Sequence, residues 1–252
     1  MQAPIQSSLA RRYSWNLLFL ILSLGPSARA ADLPLRVTGS ARDLAFARFV
    51  ASHGQTDSFG QTGRVVVLIE ASLPELYKSA VLVALRTNGA SERRGLQILQ
   101  LGGDGTVTEE VIERYLVFRE QIEELPPSLT AVTPLNYKFR YGGEVRTGGS
   151  TAYIYHITPK KRRPGLLAGS VWVDSSSGWE VFLAGRRTGE HSTGDRFELV
   201  RDTNLINGFP FSRTTHVTFT IPRLGRAVVT VTEFVVGSGA TLQPDTLGST
   251  HQ

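Results

Sequence analysis

The stretch Thr151–Val181, TAYIYHITPKKRRPGLLAGSVWVDSSSGWEV, decides the fold. Hydrophobic and aromatic residues occupy every second position on either side of a basic turn and a Ser-rich turn. Alternation of this kind is typical of half-buried β-strands, so the stretch predicts three short strands joined by two turns. No catalytic constellation accompanies the strands, which favours a surface that binds something over a reaction centre.

The same period of two continues through most of the C-terminal half of the chain. Glycine-rich and Asn-Gly turns separate the alternating segments at regular intervals, and this arrangement predicts an antiparallel meander. The predicted turns are Gly142-Gly143, Gly148-Gly149, Pro159–Gly165, Ser175–Gly178, Asn207-Gly208 and Arg223–Gly225. The predicted strands are Asn136–Tyr141, Ala152–Thr158, Leu167–Asp174, Trp179–Leu183, Asp195–Asn204, Phe211–Ile221 and Ala227–Val236.

The preceding part of the chain mixes helical and extended patterns. An S-x-x-D box opens Ser40–Ser52, whose apolar residues share one helical face, so we predict an amphipathic helix there. The β-branched run Gly63–Ala71 predicts a strand, and Ser72–Glu75 predicts one helical turn with Pro in its first turn. Lys78–Thr87 is compatible with helix or strand; we favour a strand that turns back into Gly95–Leu101.

The clearest helix follows Thr106. Thr106-Val107-Thr108-Glu109 has the pattern of a capping box, and Pro126-Pro127 ends the segment. Apolar residues recur at spacings of four and three between these signals, which places them on one helical face. These residues are Val111, Tyr115, Phe118, Ile122 and Leu125.

The first thirty residues have the pattern of a secretory signal peptide. Arg11-Arg12 precede the short apolar run Trp15–Leu24, and Ala28-Arg29-Ala30 supplies the small residues of a cleavage site near Ala30. The alternative is a membrane anchor, but the run is about half of the roughly 20 residues that a spanning helix needs. We therefore expect a periplasmic protein without a transmembrane span after cleavage.

Net charge and cysteine content further restrict the class of protein to which the chain can belong. The whole chain has 27 basic and 22 acidic residues, and three of the arginines lie in the predicted signal peptide, so the remainder has a net charge of +2. A balance this close to neutral gives no nucleic-acid signature. The absence of cysteine means that no disulfide framework holds the exported protein, and we expect a buried core to stabilise it.

Four segments between Tyr137 and Phe234 carry a family resemblance: YKFRYGGEV, AYIYHITPKKRRPGLLAGSVWVD, RFELVRDTNLINGFPF and RLGRAVVTVTEF. Together with the earlier GDGTVTEEVIERYL, they resemble the LolA/LolB-like lipoprotein-carrier superfamily, which includes outer-membrane lipoprotein-sorting and RseB-like proteins. The resemblance implies an α+β fold: a single curved antiparallel sheet, an incomplete β-barrel, with a few helices covering its concave face. It also implies an apolar cavity between helices and sheet that receives acyl chains.

These patterns divide the chain into three parts and supply candidate binding residues. We expect a signal peptide at 1–30, a LolA-like half-barrel domain at 31–237 and a disordered tail at 238–252. Aromatic residues on adjacent strands and on the helix either line a ligand cavity or form an ordinary core. The candidates are Tyr137, Phe139, Tyr141, Tyr153, Tyr155, Ile157, Tyr115 and Phe118.

The basic turn is a second candidate. A dense run of cations can contact anionic lipid headgroups, or it can be a solvated turn that discourages edge pairing. The residues concerned are Lys160, Lys161, Arg162 and Arg163.

Motifs for catalysis and metal binding are lacking. None of the histidines stands in an H-x-x-x-H or H-x-H pattern, and no cysteine is available, so we expect neither a metal site nor a cofactor. The favoured hypothesis is a non-enzymatic periplasmic carrier or sensor for lipid or lipoprotein acyl chains. The alternatives are a structural or protein-interaction module of the cell envelope with a packed interior, and a hydrolase with a dispersed site. The histidines are His53, His156, His191, His216 and His251.

Overall fold

The computed structural model describes residues 39–54, 59, 63–88, 96–147, 150–187 and 197–236; the predicted signal peptide and tail lie outside them. A ten-stranded sheet dominates this part of the chain. The helices are α1 (Ala41–Gly54), α2 (Gly105–Val107), α3 (Arg114–Glu123) and α4 (Pro127–Thr130). The strands are β1 (Gly63–Leu73), β2 (Lys78–Asn88), β3 (Leu96–Gly103), β4 (Tyr137–Thr147), β5 (Ser150–Pro159), β6 (Leu167–Asp174), β7 (Glu180–Arg187), β8 (Glu198–Ile206), β9 (Phe209–Ile221) and β10 (Gly225–Val236).

All pairings in the sheet are antiparallel, in the order β3-β2-β1-β10-β9-β8-β7-β6-β5-β4. Strands β4 to β10 form the predicted meander, and β10 then pairs with β1, which joins the N-terminal strands to it. Strands β3 and β4 are consecutive in the chain but occupy opposite edges of the open sheet. The connection between them, which contains α2, α3 and α4, therefore crosses the concave face. The predicted fold class is confirmed.

The adjacent strands β1 and β10 show why the sheet has one buried face. In β1, Val65, Val67 and Ile69 are fully buried, whereas the intervening residues are more exposed. In β10, Val229 and Val231 are buried in the same way, and Val231 pairs directly with Ile69. Because successive side chains of a strand point to opposite faces, this alternation buries one β-branched row per strand beneath the helices.

The predicted helix after Thr106 is present but is interrupted. A π-helical stretch, Thr108–Glu113, separates α2 from α3. The predicted capping box at Thr106 is wrong, because Asp104 is the N-cap: its carboxylate accepts hydrogen bonds from the backbone N–H groups of Thr106 (2.8 Å) and Val107 (3.3 Å). Asp104 also pairs with Lys78 at 3.2 Å, which fastens the start of the connection to β2.

The capping box predicted at the start of α1 is confirmed. The Asp43 backbone N–H donates to Ser40 Oγ at 3.2 Å, and the Ser40 N–H donates back to the Asp43 carboxylate at 3.3 Å. The Ser40 hydrogen bonds and the Arg42 guanidinium, outweighing partial desolvation, hold the pKa of Asp43 below its ordinary value. The reciprocal bonds satisfy two backbone donors and fix where the helix begins.

One predicted turn is wrong and another is confirmed. Gly142-Gly143 does not end a strand: β4 continues through it to Thr147, with a bulge at which the register against β5 shifts. A Cβ on Gly142 would lie 2.7 Å from His156 Nε2, so the bulge brings backbone and side chain close together. Asn207-Gly208 does form the β8–β9 turn, and both residues have positive φ, as a type I′ hairpin turn requires.

Among the residues that the structure describes, no helix is long and apolar enough to cross a membrane. The predicted anchor-like run at Trp15–Leu24 lies outside this range.

Candidate functional site

A cavity of about 330 Å³ lies between the helical connection and the concave face of the sheet. Its walls come from α3, α4 and the segment after them on one side, and from strands β4 to β10 with the end of β2 on the other; Ser52 of α1 also borders it. Small-molecule pockets range from about 300 to 1,000 Å³, so this cavity is at the small end of that range.

The helical wall is the apolar face that the sequence predicts. Tyr115, Phe118, Ile122 and Leu125 line the cavity. Gly165, in the connection between β5 and β6, approaches this wall closely: a Cβ there would lie 2.9 Å from Ile122 Cδ1, and its φ is +81°. Both the left-handed backbone and the close approach favour glycine, so this position sets the spacing between the connection and α3.

The far end of the strand wall is also apolar. Tyr137 and Ile157 are buried, and Leu167, Leu183 and Leu199 continue the row along neighbouring strands. The Leu167 backbone N–H donates to the Tyr137 hydroxyl oxygen at 3.1 Å. Burial raises the pKa of Tyr137, so its phenol is neutral over the physiological range. This part of the cavity is therefore mainly apolar, and its charged neighbour, Arg187, pairs with Leu167 and lies 5.2 Å from the Phe118 ring centroid.

The opposite end of the cavity is charged. We call Arg86, Arg119, Arg201, Glu180 and Glu233 the charged end. Glu233 Oε1 lies 2.7 Å from Arg86 Nη1 and 3.6 Å from Arg119 Nη2, so two arginines share one carboxylate. The side chains of the three residues are 9%, 13% and 14% exposed, respectively. Buried ion pairs of this kind have little water around them, and each charge depends on its neighbours for compensation.

Arg201 completes the charged end with looser contacts. Its Nη1 atom is 3.7 Å from Glu180 Oε1, and its Nε atom is 3.4 Å from Thr215 Oγ1. Its side chain is 27% exposed, whereas that of Glu180 is 4% exposed. Arg201 is therefore the arginine of the charged end that is held least tightly.

Tyr115 lies within the field of these charges. Burial raises the pKa of its phenol; Arg119 and Arg201 oppose that shift and Glu233 adds to it. For Arg119, burial alone would lower the pKa, but Glu233, Tyr115 and Glu123 raise it above its ordinary value. Arg119 therefore remains a cation, and Glu123, four residues further along α3, contacts it at 2.7 Å.

The predicted aromatic residues fall into two places. Tyr115, Phe118, Tyr137 and Ile157 line the cavity. Phe139 and Tyr155 instead lie beneath α1, where the Phe46 ring is 5.1 Å from Phe139 and 4.9 Å from Tyr155 between centroids. We call this packed group, with Phe49, the aromatic layer: Phe46, Phe49, Phe139 and Tyr155.

The remaining two aromatics are also outside the cavity lining. Tyr141 is 42% exposed and packs against the Arg42 guanidinium, 4.9 Å from the ring centroid. Tyr153 is half-buried and packs against the core. Burial raises the pKa of Tyr155, next to Tyr141, to about 12. These positions contribute to the packing beneath and beside α1.

The basic turn lies between β5 and β6. Lys160, Lys161 and Arg162 are exposed and Arg163 is half-buried. The Lys160 ammonium donates to the backbone oxygen of Pro134, which ties the turn to the end of the helical connection. Gly165 and Leu167, which follow the turn, line the cavity, so the basic run flanks it.

The charged end was missed from the sequence, although a signal for it exists. Arg86 follows Leu82 and Ala84 in β2 at the two-residue period of buried side chains. Glu233 follows Val231 in β10 in the same phase. A charge that continues a buried row should have a partner in the interior, because an isolated buried charge is costly. The sequence of each strand alone shows a charged residue in a buried row, but only the folded sheet brings Arg86 and Glu233 together.

A metal-binding role has no support in the part of the chain that the structure describes. Within those residues, no group of three or more His, Asp or Glu side chains could hold a metal ion. Asp174 resembles a polar site residue because it is buried, but its carboxylate is occupied in a turn. It accepts hydrogen bonds from the hydroxyls of Ser176 (2.7 Å) and Ser177 (2.6 Å) and from both of their backbone N–H groups.

Comparison with known proteins gives matches among solved structures. No protein-family model and no curated protein matches the chain. A DUF1329 family protein from Desulfovibrio piger is 11% identical with a TM-score of 0.37, covering 81% of this chain and 96% of that one. A putative outer membrane lipoprotein-sorting protein domain from Vibrio parahaemolyticus is 8% identical with a TM-score of 0.34, covering 81% and 96%.

A LolA superfamily protein from Nitrosomonas europaea is 10% identical with a TM-score of 0.33, covering 76% of this chain and 94% of that one. The structural neighbours of the chain thus include the LolA superfamily and outer-membrane lipoprotein-sorting proteins.

Proposed function

We propose that the protein is a non-enzymatic carrier or sensor that binds an acyl chain of a lipid or lipoprotein in the cavity beneath α3. The observation that carries the proposal is the cavity itself: about 330 Å³ of space, closed on one side by a helix and walled by Leu, Ile, Val and aromatic side chains over its apolar part. Burial of ligand surface there would stabilise the complex by roughly 25 cal/mol per Å² of apolar area.

The size of the cavity restricts the number of acyl chains that a bound ligand can place inside it. Its volume is near the lower limit for pockets that enclose a small molecule, so in this conformation it suits one acyl chain better than several. The walls are helix and sheet, which provide a preformed pocket. We therefore propose that a ligand with more than one chain would leave part of its apolar surface outside, or would require α3 and α4 to move away from the sheet.

The cavity also bears on the alternative of an envelope module with a packed interior. Protein interiors are close-packed, and unfilled space costs stability because the surrounding side chains lose contacts. In a protein that served only as a scaffold, side chains filling this space would increase the stability of the fold, as the aromatic layer does beneath α1. The open cavity therefore favours ligand binding over the packed module.

The proposed place of action is the periplasm. The support is the signal-peptide pattern in residues 1–30. Envelope proteins that deliver or receive the lipid would be its protein partners. The proposal includes no nucleic acid, metal or cofactor.

The test is ligand uptake by a protein whose cavity has been filled. Leu199 lines the cavity on β8, and its neighbour Val200 lies on the opposite face and is 37% exposed. We expect Leu199→Trp to lose at least tenfold in affinity for a fluorescent fatty acid, and Val200→Trp to retain the wild-type affinity. Native mass spectrometry of the purified wild type should also show a co-purifying lipid.

Two results would contradict the proposal. One is wild-type protein that carries no lipid and takes up no fluorescent fatty acid. The other is equal binding by Leu199→Trp and Val200→Trp, which would place the ligand elsewhere. Circular dichroism melts of both variants would show whether a lost affinity reflects a filled cavity or an unfolded chain.

A further inference from the structure

The cavity lining has an excess of positive charge, and the excess remains when its exposed members, Arg187 and Glu123, are left out. Among the described residues that line it, five are arginines and three are glutamates, which gives a formal excess of +2. The arginines are Arg86, Arg119, Arg187, Arg201 and Arg213, and the glutamates are Glu123, Glu180 and Glu233. A site for a neutral acyl chain has no need of such an excess, and removing cations from water is costly.

The excess is concentrated at the charged end by the register of the strands. Glu233 on β10 pairs with Arg213 on β9, and Arg213 pairs with Thr203 on β8. Two residues further along these strands, Thr215 on β9 pairs with Arg201 on β8. Arg201 in turn pairs with Leu183 on β7. The polar row therefore crosses adjacent strands and gives way to leucine at β7, so most of the charge lies at one end of the cavity, while Arg187 pairs with Leu167 at the other.

The hydrogen bonding of the charged end is incomplete. In the described part of the chain, Arg86 Nε, Arg119 Nη1 and Thr203 Oγ1 are buried and have no hydrogen-bond partner. Arg86 and Arg119 share the buried carboxylate of Glu233, and the second carboxylate at Arg119, that of Glu123, is 42% exposed. In a low-dielectric site an anion near these guanidinium groups would be strongly stabilised, because it would offset the excess charge.

On these grounds we propose that the ligand is an anionic single-chain amphiphile whose carboxylate is held at the charged end, between Arg119 and Arg201, while its chain lies along the leucine-lined end. This inference rests on the proposed function and names the class of ligand. A guanidinium presents paired N–H groups that match the two oxygens of a carboxylate, and such charge-assisted pairs are among the strongest hydrogen bonds. Arg201 is the arginine freest to turn toward the ligand, since its contacts to Glu180 and Thr215 are the loosest.

The basic turn is a competing place for the headgroup, because Lys160–Arg163 flanks the same cavity. A headgroup there would be exposed to solvent, and an exposed pairing would be weak and screened by salt. The charged end is buried and already carries the excess charge. We therefore assign the carboxylate to the charged end, and the experiment includes variants of both places.

The experiment is calorimetric titration of full-length protein, stripped of co-purifying lipid, with three probes at pH 8. Dodecanoate has both chain and carboxylate, 1-dodecanol has the chain alone, and acetate has the carboxylate alone. We expect dodecanoate to bind at least tenfold more tightly than 1-dodecanol, and acetate to bind weakly. In Arg201→Gln the preference for dodecanoate should fall to about threefold or less, with the affinity for 1-dodecanol unchanged.

Matched variants decide where the carboxylate lies. Arg226→Gln removes an exposed arginine of β10 and should leave the preference at its wild-type value. The double variant Lys161→Gln/Arg162→Gln should do the same; if it abolishes the preference instead, the headgroup lies at the basic turn and the inference is wrong. Arg201→Lys, which keeps the charge but loses the paired donors, should retain part of the preference. An unchanged affinity for 1-dodecanol in each variant shows that the fold is intact.

The outcomes separate this inference from the proposed function. Equal binding of dodecanoate and 1-dodecanol would overturn the anionic headgroup and leave the acyl-chain site standing. Binding of acetate as tight as that of dodecanoate would overturn the amphiphile. Failure of both long-chain probes to bind would overturn the proposed function itself.

Discussion

Beneath α1 the concave face of the sheet is packed with aromatic rings, whereas beneath α3 it borders a cavity. The two regions share strands: Phe139, in the aromatic layer, pairs directly with Ile157, which lines the cavity. Under α1, neighbouring rings lie 4.9 to 6.3 Å apart between centroids. Under α3, arginines and glutamates face an apolar wall, and their charges resist close packing. The same alternation of buried residues thus produces a solid core in one region and a pocket in the other.

The comparison shows that the side chains of the covering helix determine whether a buried face of the sheet is close-packed or borders a cavity. Helix α1 supplies two phenylalanines that fill the space above its strands. Helix α3 supplies Arg119, which is held away from the apolar wall by its contacts with Glu123 and Glu233. A ligand can enter only where the helix leaves space, so stability should depend mainly on the first region and binding on the second.

The largest effect should come from the aromatic layer. Phe49→Ala removes a fully buried ring, and we expect it to lower the free energy of unfolding by about 3–5 kcal/mol. Phe118→Ala removes a half-buried ring beside existing space and should cost less than half as much. Urea unfolding of the two variants checks the comparison. Equal losses would mean that the region beneath α3 is packed as tightly as the region beneath α1.

The next effect concerns the charged end. Glu233→Gln would leave Arg86 and Arg119 without the carboxylate they share, and breaking a buried pair in this way costs about 3 kcal/mol or more. The control is Glu198→Gln, because Glu198 pairs with Arg186 at 2.9 Å in a setting where the side chains are 44% and 80% exposed. We expect that exposed pair to contribute at most about 1 kcal/mol. A similar small loss for both variants in urea unfolding would show that the charged end is open to water.

Much of the fold follows from the sequence because period and turn chemistry are local. Strand β6 begins and ends where the alternation of Leu167–Asp174 does, and the Asn207-Gly208 turn requires the left-handed backbone that these two residues tolerate. Gly142-Gly143 shows the limit of this reasoning. Two glycines permit a turn or a bulge equally well, and the pairing of β4 with β5 selects the bulge.

The site follows from the sequence only in part, because periodicity identifies a face without showing what covers it. Tyr137 and Phe139 lie in the same phase of β4, yet one lines the cavity and the other packs beneath α1. The pairing of Arg86 with Glu233 joins positions 147 residues apart in the chain, and no local pattern connects them. Such contacts depend on β10 returning to pair with β1.

A smaller effect should come from the start of the helical connection. Asp104→Ala removes the N-cap of α2 and its ion pair with Lys78, and we expect a loss of about 1 kcal/mol in the free energy of unfolding. Ser40→Ala removes one bond of the capping box of α1 and should cost a similar amount. The variants should differ in binding: Asp104→Ala loosens the segment that covers the cavity, so it should weaken binding of a fluorescent fatty acid, whereas Ser40→Ala should not. Equal affinity of the two variants for the fatty acid would show that the N-cap of α2 does not affect binding in the cavity.

The smallest effect depends on pH and concerns the turn after β6. This turn supports α1, because Arg48 Nη1 donates to the Ser176 backbone oxygen at 2.6 Å. Burial alone would raise the pKa of Asp174, but its hydrogen bonds from Ser176 and Ser177 outweigh burial and hold the pKa below its ordinary value. The carboxylate is therefore more acidic in the folded than in the unfolded chain. Its stabilising contribution is full above the unfolded pKa of about 3.9 and is lost as the pH falls through the lower folded pKa.

Asp174→Asn tests this acid dependence. The variant keeps a side-chain oxygen that accepts hydrogen bonds but loses the ionised form. At pH 7 we expect it to melt below the wild type, and the difference in Tm should shrink as the pH falls below about 4, because the wild-type carboxylate also becomes neutral there. A constant difference from pH 7 to pH 3 would contradict the assignment. Affinity for a fluorescent fatty acid at pH 7 should be unchanged, since the turn supports the aromatic layer and Asp174 is absent from the cavity wall.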